Sequence, residues 1–227
     1  METFTFQKVD FDDKELMQQI YQLRFRVYCY ECGFINEADY PDQIERDEYD
    51  PQSVHFAALN EHQEVIGTMR LILNGDLFMP LEHHCKDIRI DQGDVPRDKI
   101  AEISRLVISK DLRRRKKDEL YYEPQVSDES VKNKENHVFL RRAKPMAFGL
   151  YREVYRESLM RDIIHWYALM EKSLWLLLHI HGFTFDAVGA EVDVYGPVKP
   201  YLGRVDKIKE EVKKKFPGFF DYFAEGA

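Results

Sequence analysis

Apolar residues recur at helical spacing at Leu16, Ile20, Leu23 and Val27, behind Asp12 and Glu15 as a helix start and ahead of Gly33 as a stop. This pattern predicts an amphipathic first helix. Residues 36–52 are acidic, broken by proline and without period, which predicts a loop or short helical turns. Two strand-like runs follow, SVHFAALN and EVIGTMRLIL, joined by a polar turn around Glu61 and His62, and they read as an antiparallel hairpin. After an irregular stretch rich in Asp, His and Gly, the run IAEISRLVIS (Ile100–Ser109) reads as a strand, yet it carries Glu102, Ser104 and Arg105. Polar groups on a central strand mark a candidate functional element.

Residues Asp111–Arg142 are dominated by charged and polar side chains with no sustained apolar period, which predicts a surface insertion. Beyond it, Pro145 opens a helix to about Leu159, DIIHWYALM reads as a buried strand, and EKSLWLLLHIHG reads as a helix closed by Gly182. FDAVG and EVDVYG give short strands, followed by a Pro/Gly-marked turn through Gly196 and Pro200 and a charged helix from about Asp206 to Phe216. The order of elements predicts an α/β fold with a mixed central sheet flanked by helices. In it IAEISRLVIS and DIIHWYALM lie side by side, and strands that splay apart leave a central cleft.

Composition narrows this picture. A chain of 227 residues that is 44% hydrophobic can bury one sizeable core, so a single domain over residues 1–227 is expected, with the charged insertion at about 111–142. No apolar run is long enough to span a bilayer and the first residues lack a signal core, so a cytoplasmic protein without stable membrane insertion is expected. Three cysteines fit free thiols in a reducing compartment. The net charge of −8 argues against a general nucleic-acid binder. Against that background Arg113, Arg114, Arg115, Lys116 and Lys117, with Arg141, Arg142 and Lys144, form basic clusters. They suit docking of an acidic protein partner or, more simply, a solvated surface.

Several motifs occur in one order: Arg24 in LRFRVY, Glu45, Asp47 and Asp50 in ERDEYD, Arg70 in GTMRLIL, and Glu102, Ser104 and Arg105 as Glu-x-Ser-Arg. Together they resemble the acyl-homoserine lactone synthases, a family of GNAT (acyl-CoA N-acyltransferase) fold. VYCYECGF, EYDPQSVHF, AEISRLVIS, HWYALME and GAEVDVYG followed by KPY extend the likeness over about residues 20–202. There the chain is similar to the acyltransferases associated with exosortase and PEP-CTERM sorting systems, relatives of long-chain N-acyl amino acid synthases. Phe34 stands where the lactone synthases have Trp, and Tyr195 where the exosortase-associated family has His. The acceptor is thereby left open. The chain also lacks the Gln/Arg-x-x-Gly-x-Gly/Ala loop that cradles the coenzyme A pyrophosphate in ordinary GNAT enzymes, and LRRRKK stands in its place.

The resemblance implies an N-acyltransferase that moves a medium or long fatty acyl group from an acyl carrier protein thioester to the amine of an amino acid or similar small molecule. An acyl-CoA-dependent enzyme and a non-catalytic acyl-binding module are the alternatives; no metal or other cofactor is expected. Such transfer needs a base, a held thioester and donors for the oxyanion. Glu102 is the candidate base, or else a structural ion pair with Arg70 or Arg24; Ser104 and Arg70 complete the candidate catalytic set. The stretch Arg105, Leu106, Val107 and Ile108 is the candidate acyl-donor segment, with oxyanion donors on its backbone, while strand alternation puts Arg105 on the face away from Glu102, where its side chain reads as a scaffold or loop-holding group. Glu45, Asp47 and Asp50 hold the acceptor ammonium, or pair with Arg24 and Arg70 to fix the acidic loop over the cleft, or form a solvated acidic loop. Arg113, Arg114, Arg115 and Lys116 are the candidate docking residues. Cys29 and Cys32 have metal or redox spacing but sit inside a predicted helix without a second CxxC and read as core packing, while His83 to Cys85 and His179 with His181 lack the spacing of a zinc frame. Phe148, Leu150, Trp166, Tyr167, Leu174 and Trp175 read as core or as an acyl-chain channel.

Overall fold

The computed structural model describes residues 4–88, 95–109 and 144–224, which gather into two compact units. The first is made from Met1–Arg46, Phe56–Met69 and Leu106–Tyr151, the second from Asp47–His55, Arg70–Arg105 and Arg152–Ala227.

In the first unit, the helix α1 (Lys14–Phe25) starts one residue later than the sequence pattern puts it. Asp13, not Asp12, is the cap, its carboxylate accepting the Leu16 N–H at 3.1 Å. Met17, Ile20, Leu23 and Val27 form one core with Val9, Ala57, Leu59, Val65 and Val107. The helix continues as a π-helical segment over Arg26–Glu31. A strand before it, β1 (Thr5–Val9), escapes the sequence pattern because only Val9 of its five residues is buried. β2 (Ser53–Leu59) and β3 (Val65–Ile72) are the expected hairpin strands. Their turn is tied by Asn60, whose side-chain carbonyl accepts the N–H groups of His62 and Glu64 at 2.9 Å, with Gln63 at φ 62°. The strand order here is β1-β2-β3-β4, where β4 is Ile100–Ile108.

In the second unit β2, β3 and β4 are followed across the sheet by β5 (His165–Met170), β8 (Pro197–Arg204) and β6 (Phe185–Ala187). β5 pairs in parallel with β4, as the sequence pattern expects, and β8 pairs antiparallel with β5. The sheet is therefore mixed. The parallel ladder holds three pairs and ends at Glu102 opposite Tyr167, although both strands run on. β8 corrects the expected turn through Pro200: that residue falls between the β6 and β7 (Val192–Asp193) registers, where its missing N–H breaks no ladder.

Helix α3 (Lys144–Met160) follows the opening at Pro145. Two short helices were not expected: α2 (Pro80–His84), inside the irregular stretch, and the terminal α6 (Pro217–Ala224), whose Phe223 stacks on Tyr155 at 4.6 Å. The expected helices α4 (Lys172–Ile180) and α5 (Val205–Lys215) are present.

Gly182 ends α4 at φ 86°, and a Cβ there would lie 2.9 Å from the Val212 backbone nitrogen. Gly182→Ala is expected to cost about 2 kcal/mol or more, read as a lower denaturant midpoint at unchanged slope.

Candidate functional site

Four of the polar residues singled out in the sequence, Asp47, Asp50, Ser104 and Arg105, gather in the second unit around the Arg70 guanidinium. Arg70, on β3, is 1% exposed. Its Nε donates to Ser104 Oγ at 3.0 Å, one terminal nitrogen to Asp47 Oδ1 at 2.5 Å and Asp50 Oδ1 at 2.7 Å, and the other to Asp47 Oδ2 at 3.0 Å. Arg105 donates to the same Asp47 Oδ2 at 2.8 Å. Asp50 accepts the Asp47 N–H at 2.9 Å, so the acidic segment closes on itself as well as on the two arginines. Burial pushes the Asp47 carboxyl up, but the Arg70 hydrogen bond and the Arg70 and Arg105 charges outweigh it and hold the group below the usual range. Asp47 and Asp50 are thus engaged in fastening their own loop. In the first unit Arg24 and Glu45 do the same, as a buried ion pair, while the Glu45 N–H donates to Tyr21 O at 3.1 Å.

Strand alternation does not hold through β4. Arg105 adopts φ 52°, left-handed backbone that a non-glycine residue takes only under constraint. The twist lets Arg105 reach the carboxylate that Arg70 holds beside Ser104, which corrects the expectation that Arg105 faces elsewhere.

Glu102 makes neither of the ion pairs open to it in the sequence. Its Oε2 accepts the Leu81 N–H of α2 at 2.9 Å, and Arg70 acts on it through charge alone. Burial pushes the carboxyl up to about 8, against the Leu81 N–H and the Arg70 and Arg105 charges, which pull it down. A carboxyl with that value shares its proton near neutral pH, as a general base or acid requires. Leu81 is the partner that sequence reasoning missed. The only signal for it is Pro80 at a helix start with Glu82 following, whose side chain accepts the Met79 N–H at 3.0 Å and pairs with Arg97 at 2.7 Å.

Val107 packs in the core of the first unit, and Leu106 and Ile108 are half-buried on β4. Phe148, Leu150, Trp166 and Tyr167 are buried as core, whereas Trp175 lines a pocket. Arg113, Arg114, Arg115 and Lys116 lie outside the described residues, as does the expected insertion at 111–142. Among the described residues no group of three or more His, Cys, Asp or Glu side chains stands where it could hold a metal ion, and Cys29, Cys32 and Cys85 carry free thiols. No described helix is long and apolar enough to cross a membrane.

An open mixed sheet flanked by helices, with a short parallel ladder at β4 and β5, is the GNAT fold, and a profile of the acetyltransferase (GNAT) domain matches residues 23–123. Fold and domain match agree on the fold of the GNAT N-acyltransferases. Among solved structures, the chain is similar to TofI in a ternary complex with an inhibitor and MTA, at 14% identity and TM-score 0.63, covering 94% of this chain and 95% of that one. It is similar to the CoA-dependent acyl-homoserine lactone synthase BjaI, with SAM and isopentyl-CoA, at 18% identity and TM-score 0.61, covering 100% and 92%. FeeM, an N-acyl amino acid synthase from uncultured soil microbes, shares the fold at 12% identity and TM-score 0.52, covering 95% and 98%. No curated protein matches the chain.

Proposed function

We propose that this protein moves a medium or long fatty acyl group from an acyl carrier protein thioester to the amine of an amino acid or similar small molecule. The observation that carries the reading is Glu102, a fully buried carboxyl with a pKa of about 8 at the last paired position of β4 and β5. The amine nitrogen attacks the thioester carbonyl while Glu102 takes the amine proton, directly or through one water. Backbone N–H groups along Arg105–Val107 receive the oxyanion. Collapse expels the carrier thiolate, which is protonated, and leaves an amide. Arg70, Ser104 and Arg105 position the 47–50 segment and the strand that bears Glu102. The reading includes kinship with the exosortase-associated acyltransferases, on the motifs VYCYECGF and GAEVDVYG, and a cytoplasmic enzyme that needs no cofactor.

A second donor is favoured by one neighbour, since BjaI is described as CoA-dependent. Comparing an acyl carrier protein thioester with the matching acyl-CoA, at equal concentration over a panel of amino acids, decides between them by mass of the N-acyl product. A strong preference for CoA removes the carrier-protein donor, and no product from either removes the reading. Reversing the charges of Arg113, Arg114 and Arg115 is expected to raise the KM for the carrier-protein donor about tenfold at low salt and less at high salt. A small thioester analogue should show no change; equal loss on both donors would discard the docking role.

A further inference from the structure

The second unit contains a pocket of about 370 Å³ that the acyl-transfer reading does not use. Ligand sites for small molecules run from about 300 to 1,000 Å³, so the space is sufficient for one. Its place follows from strand register. Met170 is opposite Lys199, and Ala168 and Ala187 are both opposite Tyr201. These residues alternate with Tyr167 and Leu202, which pack with Leu81 on the other face of the sheet, the face of Glu102. The pocket therefore opens on the face away from Glu102.

Its wall is apolar and fixed. Trp175 donates its Nε1–H to Phe185 O at 2.9 Å, and its ring stacks with Tyr201 at 5.9 Å and with His179 at 5.1 Å. Met170 and Ala187 complete the surface. Lys172 and Lys199 stand at the rim, and neither has a carboxylate partner among the described residues. Glu191 is the one acidic lining residue, so the pocket carries a net positive charge over an apolar wall.

We propose that this pocket is a binding site for an amphipathic carboxylate, with the carboxylate at Lys172 and Lys199 and an alkyl or aromatic body against Trp175, Met170 and Tyr201. Charge complementarity selects the head group and the fixed indole selects the tail. The inference stands apart from the acyl-transfer reading, because binding is measured without turnover and at residues that reading does not use.

Decanoate, titrated below its micelle-forming concentration, tests it through tryptophan fluorescence. The chain has two tryptophans, and Trp166 is fully buried with its Nε1–H on Ser158 Oγ, so a saturable change reports Trp175. Octanoate is expected to bind about tenfold more weakly than decanoate, as loss of two buried methylenes predicts. Decanol and decylamine should each bind at least tenfold more weakly than decanoate. Lys172→Gln combined with Lys199→Gln, both at exposed positions, should remove the preference for decanoate over decanol. Ala187→Phe, also at an exposed position, should fill the pocket and abolish binding while thermal stability stays within a few degrees of the parent. Absence of saturation, equal or tighter binding of decanol or decylamine, or unchanged decanoate binding in a folded Ala187→Phe protein would overturn the proposal.

Discussion

Glu102→Gln is expected to lower acyl-transfer turnover by roughly 10²- to 10⁴-fold, the usual contribution of a general base, while making the protein more stable above neutral pH. Both effects come from the same burial. The carboxyl is raised from an ordinary value of 4.5 to about 8 in the folded protein. Between those values the unfolded chain gives up its proton and the folded chain keeps it, so stability falls as pH rises across the window, at up to ~1.4 kcal/mol per pH unit. Gln stays neutral at every pH and can accept the Leu81 N–H through its carbonyl oxygen. The variant should therefore show a flatter profile of stability against pH between about 5 and 8, a change that a surface carboxylate would not give. The parent's turnover should rise with pH through about 8, over and above the titration of the acceptor amine, and that extra rise should vanish in Glu102→Gln. A variant with flattened stability but undiminished turnover would leave Glu102 as a buried structural carboxyl and move the base elsewhere.

Why Glu102 was legible in the sequence and its surroundings were not follows from what each depends on. A carboxylate and a hydroxyl inside IAEISRLVIS break a β-branched apolar pattern, and that break is visible without coordinates. The partners are not visible in this way. Leu81 offers only a backbone N–H, which has no residue signature, and α2 that presents it is five residues long without a polar cap of the Ser, Thr, Asp or Asn kind. Arg105 was assigned to a face by alternation, and one left-handed residue cancels that rule. The periodic elements α1, α3, α4, α5 and the hairpin were readable because each buries one face over several turns or pairs. β1 was not, since it buries a single residue, and β8 was not, since Pro197 and Pro200 carry the signature of a turn while register gaps accommodate Pro200 in a strand. The acidic segment was readable as a type of charge and ambiguous as a role. In the structure both Asp47 and Asp50 are bonded to Arg70.

Arg70→Ala is expected to destabilise the protein by about 3–5 kcal/mol, the range for removing one partner of a buried ion pair. The size follows from what stays behind. Asp50 is 2% exposed with its carboxylate on Arg70, and its Oδ2 also ties the Asp47 N–H. Without the guanidinium, the segment carrying Tyr49 and Gln52 keeps Arg105 as a charged tie through Asp47, and Ser104 loses the Nε donor. Arg70→Lys should recover only part of the loss, because an ammonium cannot span Ser104, Asp47 and Asp50 in one plane. The pH dependence gives the deficit its own signature. Asp47 is held below its ordinary value in the folded protein, so its contribution is complete above about pH 4 and is lost as pH falls through the folded value. The gap between parent and Arg70→Ala should therefore be widest near neutral pH and narrow under acid conditions, as measured by denaturant unfolding at several pH values. A gap below about 1 kcal/mol, or one that does not narrow with acid, would mean that the cluster is solvated and that the 47–50 segment is held by its backbone contacts instead.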